Sequence, residues 1–401
     1  MTKYRLAVIS THPIQYHAPW FRGMAAHPDL ENHVYYCHKA TPQEQARAGF
    51  SVEFDWDVPL LSGYSYSFLQ NVARPAGHGR FGGFDTPEIG KIIRERQYDA
   101  VLVNGWNYKS AWQAIWAAWQ SGIKVFVRGD SHLHVTRSRS MRLTKLLAYR
   151  RFVPRFDACL APGIWSREYF AYYGARPDRI FFVPHVVDAD FMTMESRRLR
   201  THRSELRRQW VLRDDSVVFL FVGKFTGTKC PLDFVRAVYE ASKNEASVTG
   251  LMVGDGPMRG ACEDFVRSHD APISFTGFLN QSQIVRAYAS TDALVLPSVG
   301  ETWGMVVNEA MACGQPCLVS DRVGCSPDLV LPGETGIIFP HCNVPALSAA
   351  MVNLARNPKQ IATMGENAYN RLRGYSVQAA VNGVLQALAA SVGAAESVCA
   401  S

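Results

Sequence analysis

Short apolar runs alternate with longer amphipathic ones along the first half of the chain. Residues 4–10, 34–37, 100–104, 125–128, 157–161 and 180–183 are strand-like runs. Between them, residues 18–26, 86–96, 110–121 and 166–173 place apolar positions at helical spacing, and Gly122 and Gly174 close two of those helices. Strand–helix–strand alternation with short connections predicts a parallel sheet covered on both faces. From 185 to 213 the pattern lapses. Arg197, Arg198, Arg200, Arg203, Arg207, Arg208 and Arg213 crowd a stretch with little apolar content, which reads as a linker and a first solvated helix. The alternation then restarts, with strands at 217–222, 250–253, 273–275, 293–296 and 316–320. Helices are predicted at 232–243, 259–269, 282–289 and 305–313, and a last one at 377–390 behind Ser376 as N-cap.

The chain has 401 residues. A single core rarely grows past roughly 250–300 residues, so two domains are expected. They fall at 1–184 and 214–374, with the linker at 185–213 and a C-terminal helix and tail over 375–401. The apolar fraction of 47% and the charged fraction of 19% are those of a globular chain, which excludes a wholly disordered or collagenous one. The nine cysteines include no CxxC pair, and Cys313 and Cys317 lack a second pair to complete a zinc set. Buried thiols in a reduced, cytoplasmic protein are the plain reading. The apolar run at residues 6–9 ends at His12-Pro13, too early for a secretory segment. No run approaches the roughly 18 apolar residues that a membrane span needs.

Three loops carry candidate chemistry. The first is Phe221-Val222-Gly223-Lys224-Phe225-Thr226-Gly227-Thr228-Lys229, a strand feeding a loop with two lysines five apart. Two cations beside a helix N-terminus can neutralise a diphosphate without a metal; the bland alternative is two exposed lysines. The second is the tight turn Gly254-Asp255-Gly256-Pro257, which reads more simply as structural. The third runs from Pro297 through Glu301, Trp303, Gly304 and Met305 to Glu309 and Gly314. Ligands of open parallel sheets bind outside the strands' carboxyl ends, and a helix starting there offers N–H groups to a phosphate. Glu301 and Glu309 can accept hydrogen bonds from paired sugar hydroxyls; alternatively they are a helix-capping and a solvated glutamate.

In order, Gly223-Lys224 with Lys229, Gly254-Asp255-Gly256-Pro257, Thr276-Gly277-Phe278, Pro297-Ser298, the Glu301/Glu309 pair with Gly304, Ala310-Met311-Ala312-Cys313-Gly314 and Gly333-Glu334-Thr335-Gly336 resemble glycosyltransferase family 4. The resemblance spans about residues 216 to 345. It implies the retaining, B-type fold: two Rossmann-like α/β domains with a cleft between them and a C-terminal helix that crosses back to the first. It also implies roles. Lys224 and Lys229 would hold the donor diphosphate, Glu301 the donor sugar and Glu309 the ribose. Backbone N–H groups around Trp303, Gly304 and Met305 would hold the distal phosphate, and the backbone near Phe278 would meet the base. Lys224 stands where the family usually has Arg, which keeps the charge and loses the fork geometry.

The first half resembles the family less. Where it often has His-Asp after a strand, this chain has Arg128-Gly129-Asp130-Ser131-His132. Asp130 is a candidate catalytic residue, and His12 and His132 are candidates for the acceptor side or the cleft. Asp188-Ala189-Asp190 resembles a metal-binding carboxylate pair but lies in the linker, so no metal and no cofactor are expected. Residues 137–155 carry Arg137, Arg139, Arg142, Lys145, Arg150, Arg151 and Arg155 without an acidic residue, interleaved with apolar positions. Such a helix either packs its stripe into the core or lies on an anionic membrane. No nucleic-acid motif accompanies the net charge of +7. The expected activity is transfer of a sugar from a nucleoside diphosphate sugar to a glycan or lipid-linked acceptor. The expected place is the cytoplasm or the cytoplasmic face of the membrane, in polysaccharide or glycoconjugate synthesis. The rivals are a sugar-nucleotide epimerase of the same fold and a catalytically degenerate binding subunit.

Overall fold

The computed structural model describes residues 3–134 and 138–399. They divide into two compact units. The described residues within Met1–Ala40, Pro59–Val186 and Tyr375–Ser401 form the first, and those within Thr41–Val58 and Val187–Gly374 the second.

The first unit is a seven-stranded parallel sheet. Its strands are β1 (Tyr4–Ser10), β2 (Leu30–Tyr36), β3 (Ser65–Phe68), β4 (Ala100–Asn104), β5 (Lys124–Arg128), β6 (Ala158–Ala161) and β7 (Ile180–Phe182), in the order β3-β2-β1-β4-β5-β6-β7. Val8 lies opposite both Val34 and Leu102 and faces one core with them, whereas Ala7, Ile9, Val101 and Val103 face a second core on the other side of the sheet. The order reverses between β1 and β4, and there the carboxyl ends of the strands open a crevice. The helix Val377–Cys399 packs on this unit. Its Ala380, Val381, Val384, Ala387 and Leu388 are buried among Trp20, Phe21 and Met24. Each of the larger side chains contributes roughly 1.5–3 kcal/mol by leaving water.

The second unit is a six-stranded parallel sheet of β8 (Val217–Val222), β9 (Val248–Val253), β10 (Ile273–Gly277), β11 (Ala293–Leu296), β12 (Cys317–Ser320) and β13 (Gly336–Phe339), ordered β10-β9-β8-β11-β12-β13. Phe219, Phe221, Phe234, Met252, Val295 and Met351 belong to its core. The switch point lies between β8 and β11, and the three candidate loops leave the carboxyl ends of β8, β9 and β11.

Two boundaries differ from expectation. The stretch read as a linker and a solvated helix folds into two helices of the second unit, Ala189–Arg200 and Arg203–Gln209. Arg207 is only 3% exposed. Its guanidinium donates to the carbonyls of Ser290, Arg213, Asp214 and Ser216 at 2.8–3.1 Å and pairs with Asp292 at 2.8 Å. Carbonyl acceptors let an arginine be buried where composition suggests a solvated charge. Asp188 caps the first of these helices by accepting from the Phe191 N–H. The other difference is Thr41–Val58, which precedes β3 in sequence yet belongs to the second unit, because its far end bonds to residues 280 and 282.

Candidate functional site

In the second unit, β8 delivers the lysine loop and β11 the glutamate loop. The Val299 N–H donates to the Thr228 carbonyl at 3.0 Å, which ties the two loops together. Lys229 contacts the Glu301 carboxylate directly. Burial first, then the nearby Lys224 charge, pull the Lys229 ammonium down to about 8. Burial also lowers Lys224. These lysines are therefore neither fully solvated nor far apart.

Glu301 leads into Gly304, the N-cap of the helix Met305–Ala312. Gly304 has φ +103, and a Cβ there would lie 3.1 Å from both Leu296 and Val323, so only glycine fits. The helix end therefore sits hard against the sheet, with its first N–H groups at the crevice. Its other end is fastened too. Thr193 donates to the Ala312 carbonyl at 2.9 Å, and Arg200 donates to the Cys313 carbonyl at 2.7 Å, where a cation suits the helix dipole. The Trp303 indole is buried and donates to Asn308 at 2.9 Å, so this side chain braces the helix while only its backbone faces the turn.

Glu309 is 1% exposed, which removes the solvated alternative. Gln281 donates to one carboxylate oxygen at 3.1 Å and the Tyr288 hydroxyl to the other at 2.8 Å. Neither partner carries a sequence signal of its own. The ring of Phe278 packs at a tilt against that of Phe54. The Gly254–Pro257 turn braces the lysine loop: a Cβ on Gly254 would meet the Gly223 carbonyl at 2.0 Å, and Phe225 donates to the Asp255 carbonyl at 2.8 Å.

In the first unit, Arg128 at the end of β5 organises a polar cluster that sequence reasoning passed over. It is 4% exposed, and burial lowers it to about 10. Its guanidinium lies over the Trp20 ring at 4.7 Å and donates to the Pro184 carbonyl at 3.2 Å, to His185 Nδ1 at 3.1 Å and to Asn104 Oδ1 at 3.4 Å. Arginine only donates, so His185 Nδ1 accepts and its proton sits on Nε2, 3.6 Å from the Asp130 carboxylate. With Oδ1 turned to Arg128, the Asn104 amide N–H faces the His17 ring at 3.0 Å. Both histidines are thus held neutral: burial first, then Arg128, lower each below its ordinary value. Asp130 belongs to this cluster. His12 bonds Thr11 at 3.0 Å and lies near enough to depress His17 further. His132 is buried with its ring 5.1 Å from that of Trp165.

The basic segment forms the helix Arg139–Phe152; Arg137 lies outside the described residues. Leu146, Tyr149 and Phe152 pack on the core, whereas Met141, Leu143 and Leu147 are exposed, the last at 68%. Among the described residues, no helix is long and apolar enough to cross a membrane, and no three His, Cys, Asp or Glu side chains cluster to hold a metal.

Residues 202–371 match the family model described as glycosyl transferases group 1, and residues 32–185 match the glycosyl transferase 4-like domain. The chain is 30% identical over 168 residues to alpha-D-kanosaminyltransferase of Streptomyces kanamyceticus, covering 41% of this chain and 43% of that protein. It is 28% identical over 219 residues to D-inositol 3-phosphate glycosyltransferase of Actinosynnema mirum, covering 51% and 50%. The matched region thus spans about half the length of these relatives. The crystal structure of Anabaena HepE in complex with UDP and glucose is similar in fold, with a TM-score of 0.71, 16% identity, and coverage of 96% of this chain and 99% of that one.

The neutral histidines set an acid limit on stability. The unfolded chain takes up protons at His17 and His185 near pH 6.5, which the folded chain resists, so stability falls as pH drops below that value. Thermal unfolding of His17→Asn from pH 7.5 to 5 should show a smaller loss of Tm than wild type. An equal loss in both would show that His17 is not a source of the acid sensitivity.

Proposed function

Because the chain belongs to the group 1 glycosyltransferases, with a family 4-like first half, we propose that it moves a glycosyl group from a nucleoside diphosphate sugar to a hydroxyl of a glycan or lipid-linked acceptor, with retention at the anomeric carbon. The observation that carries this reading is the contact between Lys229 and Glu301 beside the N-terminus of Met305–Ala312. A cation for phosphate touching an acceptor group for hydroxyls marks the junction between a diphosphate and a sugar. The bond from the anomeric carbon to the phosphate oxygen breaks there, and its electron pair leaves with the diphosphate. Lys224, Lys229 and the helix N–H groups stabilise that growing charge. The acceptor oxygen bonds the anomeric carbon on the same face, and its proton passes to the departing phosphate. Glu301 holds sugar hydroxyls, and Glu309, already oriented by Gln281 and Tyr288, holds the ribose. The HepE complex makes uridine diphosphate the first nucleotide to try.

Only protonated Lys229 serves this role. As pH rises through about 8 the cation is lost from the free enzyme, so kcat/KM should fall on the alkaline side. Lys229→Arg should move that limb to higher pH, and Lys229→Ala should lower kcat by about 10²–10³. A limb that stays put in Lys229→Arg would remove the leaving-group role.

Two lysines and a helix end take the place of a metal in this scheme, so turnover should survive excess EDTA. Loss of activity that magnesium or manganese restores would refute it.

The same reading has the enzyme work in the cytoplasm, touching the membrane through Arg139–Phe152, in polysaccharide or glycoconjugate synthesis. Leu143 and Leu147 are one turn apart on its exposed face, with Arg150 and Arg151 on the next turn. Exposed leucines flanked by arginines fit an anionic bilayer surface. Flotation should show binding to phosphatidylcholine vesicles containing phosphatidylglycerol, weaker binding to phosphatidylcholine alone, and loss with the Leu143→Glu/Leu147→Glu pair. Equal recovery with both vesicle types, or an unaffected pair, would overturn the membrane contact.

A further inference from the structure

The segment Thr41–Val58 is a strap built to reach the second unit's ligand loops. Thr41 starts it with a capping box: its hydroxyl accepts from the Glu44 N–H at 3.3 Å, and the Glu44 carboxylate accepts from the Thr41 N–H at 2.9 Å. A helical turn over Pro42–Gln45 and a wider one over Ala46–Phe50 follow, ended by Ser51 in the left-handed region at φ +58. Gln43 donates to Glu53 at 2.9 Å and closes the strap on itself.

Its far end lies on the loop after β10. Phe54 is buried with its ring centroid 4.3 Å from that of Phe278, and Trp56 meets Phe54 edge-on at 4.9 Å. Asn280 donates to the Asp55 carbonyl at 2.7 Å. Asp57 accepts from the Ser282 N–H at 3.0 Å and also from the Ser282 hydroxyl. Between these two anchor points sits Gln281, and its amide is the one that donates to Glu309 at 3.1 Å. The loop's grip on the strap and its grip on Glu309 are therefore one residue apart.

We propose that Phe54 and Asp57 are positioning residues of the nucleoside subsite. The strap fixes the backbone that meets the base and, through Gln281, fixes the carboxylate that meets the ribose. This rests on the donor reading of Phe278 and Glu309. A carboxylate held at both oxygens presents its remaining lone pairs in one orientation, whereas one that has lost the Gln281 amide can turn more freely about its Cγ–Cδ bond and meet a ribose diol less often. Phe54 and Asp57 meet Phe278 and Ser282 of the loop after β10, whereas the strap approaches Lys224 elsewhere, at Gly49, where a Cβ would lie 3.3 Å from the lysine side chain; the effect of these two side chains therefore belongs to the nucleoside.

The test uses the full chain and two probes. Wild type is first titrated calorimetrically with the uridine, adenosine, guanosine and cytidine diphosphates, and the tightest is kept; the second probe is inorganic pyrophosphate, which has no nucleoside. Asp57→Ala and Phe54→Leu should each weaken the nucleoside diphosphate roughly tenfold, the scale of one hydrogen bond to a charged group, and leave pyrophosphate unchanged. Asp57→Asn keeps one acceptor for the Ser282 N–H and should recover part of the loss. Gln281→Ala leaves the strap intact and should reproduce the same selective weakening, which keeps the test decisive if a strap variant folds poorly. Equal weakening of both probes, or no change in either, would overturn the strap's role. Wild type that binds no nucleoside diphosphate at all would instead overturn the donor reading beneath it.

Discussion

Taking a carboxylate out of water is expensive unless hydrogen bonds replace its hydration, and the second unit is arranged around meeting that demand at Glu309. Tyr288 and Gln281 each satisfy one oxygen. Tyr288 is itself located by Gln315, whose amide donates to the Tyr288 carbonyl at 2.7 Å and to Thr291 at 2.9 Å. The helix carrying Glu309 is held at its start by the tight fit of Gly304 and at its end by Thr193 and Arg200. A group with so little rotational freedom has given up its entropy before any ligand arrives, which is what preorganisation means in structural terms.

The first unit solves the opposite problem. There the buried charge is a cation, and its neighbours are imidazoles instead of carboxylates. Arg128 is stabilised by a ring face, a carbonyl, an amide and a neutral histidine, with Asp130 beyond that histidine. Because arginine can only donate, one residue dictates the proton positions of His185 and, by way of Asn104, the side of the amide shown to His17. The arrangement turns the His185 Nε2–H toward Asp130, 3.6 Å away.

The alternation of strands and helices was legible because parallel strands buried on both faces read as continuous apolar runs, as at residues 100–104 and 217–222. The candidate loops stood out because Lys224, Lys229, Glu301 and Glu309 follow an order that resembles the family's. Other parts hid for physical reasons. β3 is an edge strand with Tyr66 and Phe68 exposed, so no apolar run marks it. Arg207 counts as a charge in composition, yet carbonyl acceptors bury it. Gln281 and Tyr288 matter only through Glu309, and a contact of that kind has no local pattern. The strap offered one signal, Thr41-Pro42-Gln43-Glu44, which announces a helix start but says nothing about a partner more than two hundred residues away.

The strap's connectivity has a consequence for recombination. Thr41–Val58 is encoded between two strands of the first sheet, while the loop it holds follows β10 of the second. Hybrids that join two related chains near residue 187 would inherit the strap from one parent and its seat from the other. Mismatched pairs at positions 54 and 278, or 57 and 282, would then spoil a donor unit whose own sequence is unaltered. The unit that must travel together under the proposed reading is a discontinuous one, 187–374 together with 41–58, and exchanges that respect it require crossovers on both sides of residues 41–58 in addition to the one near 187.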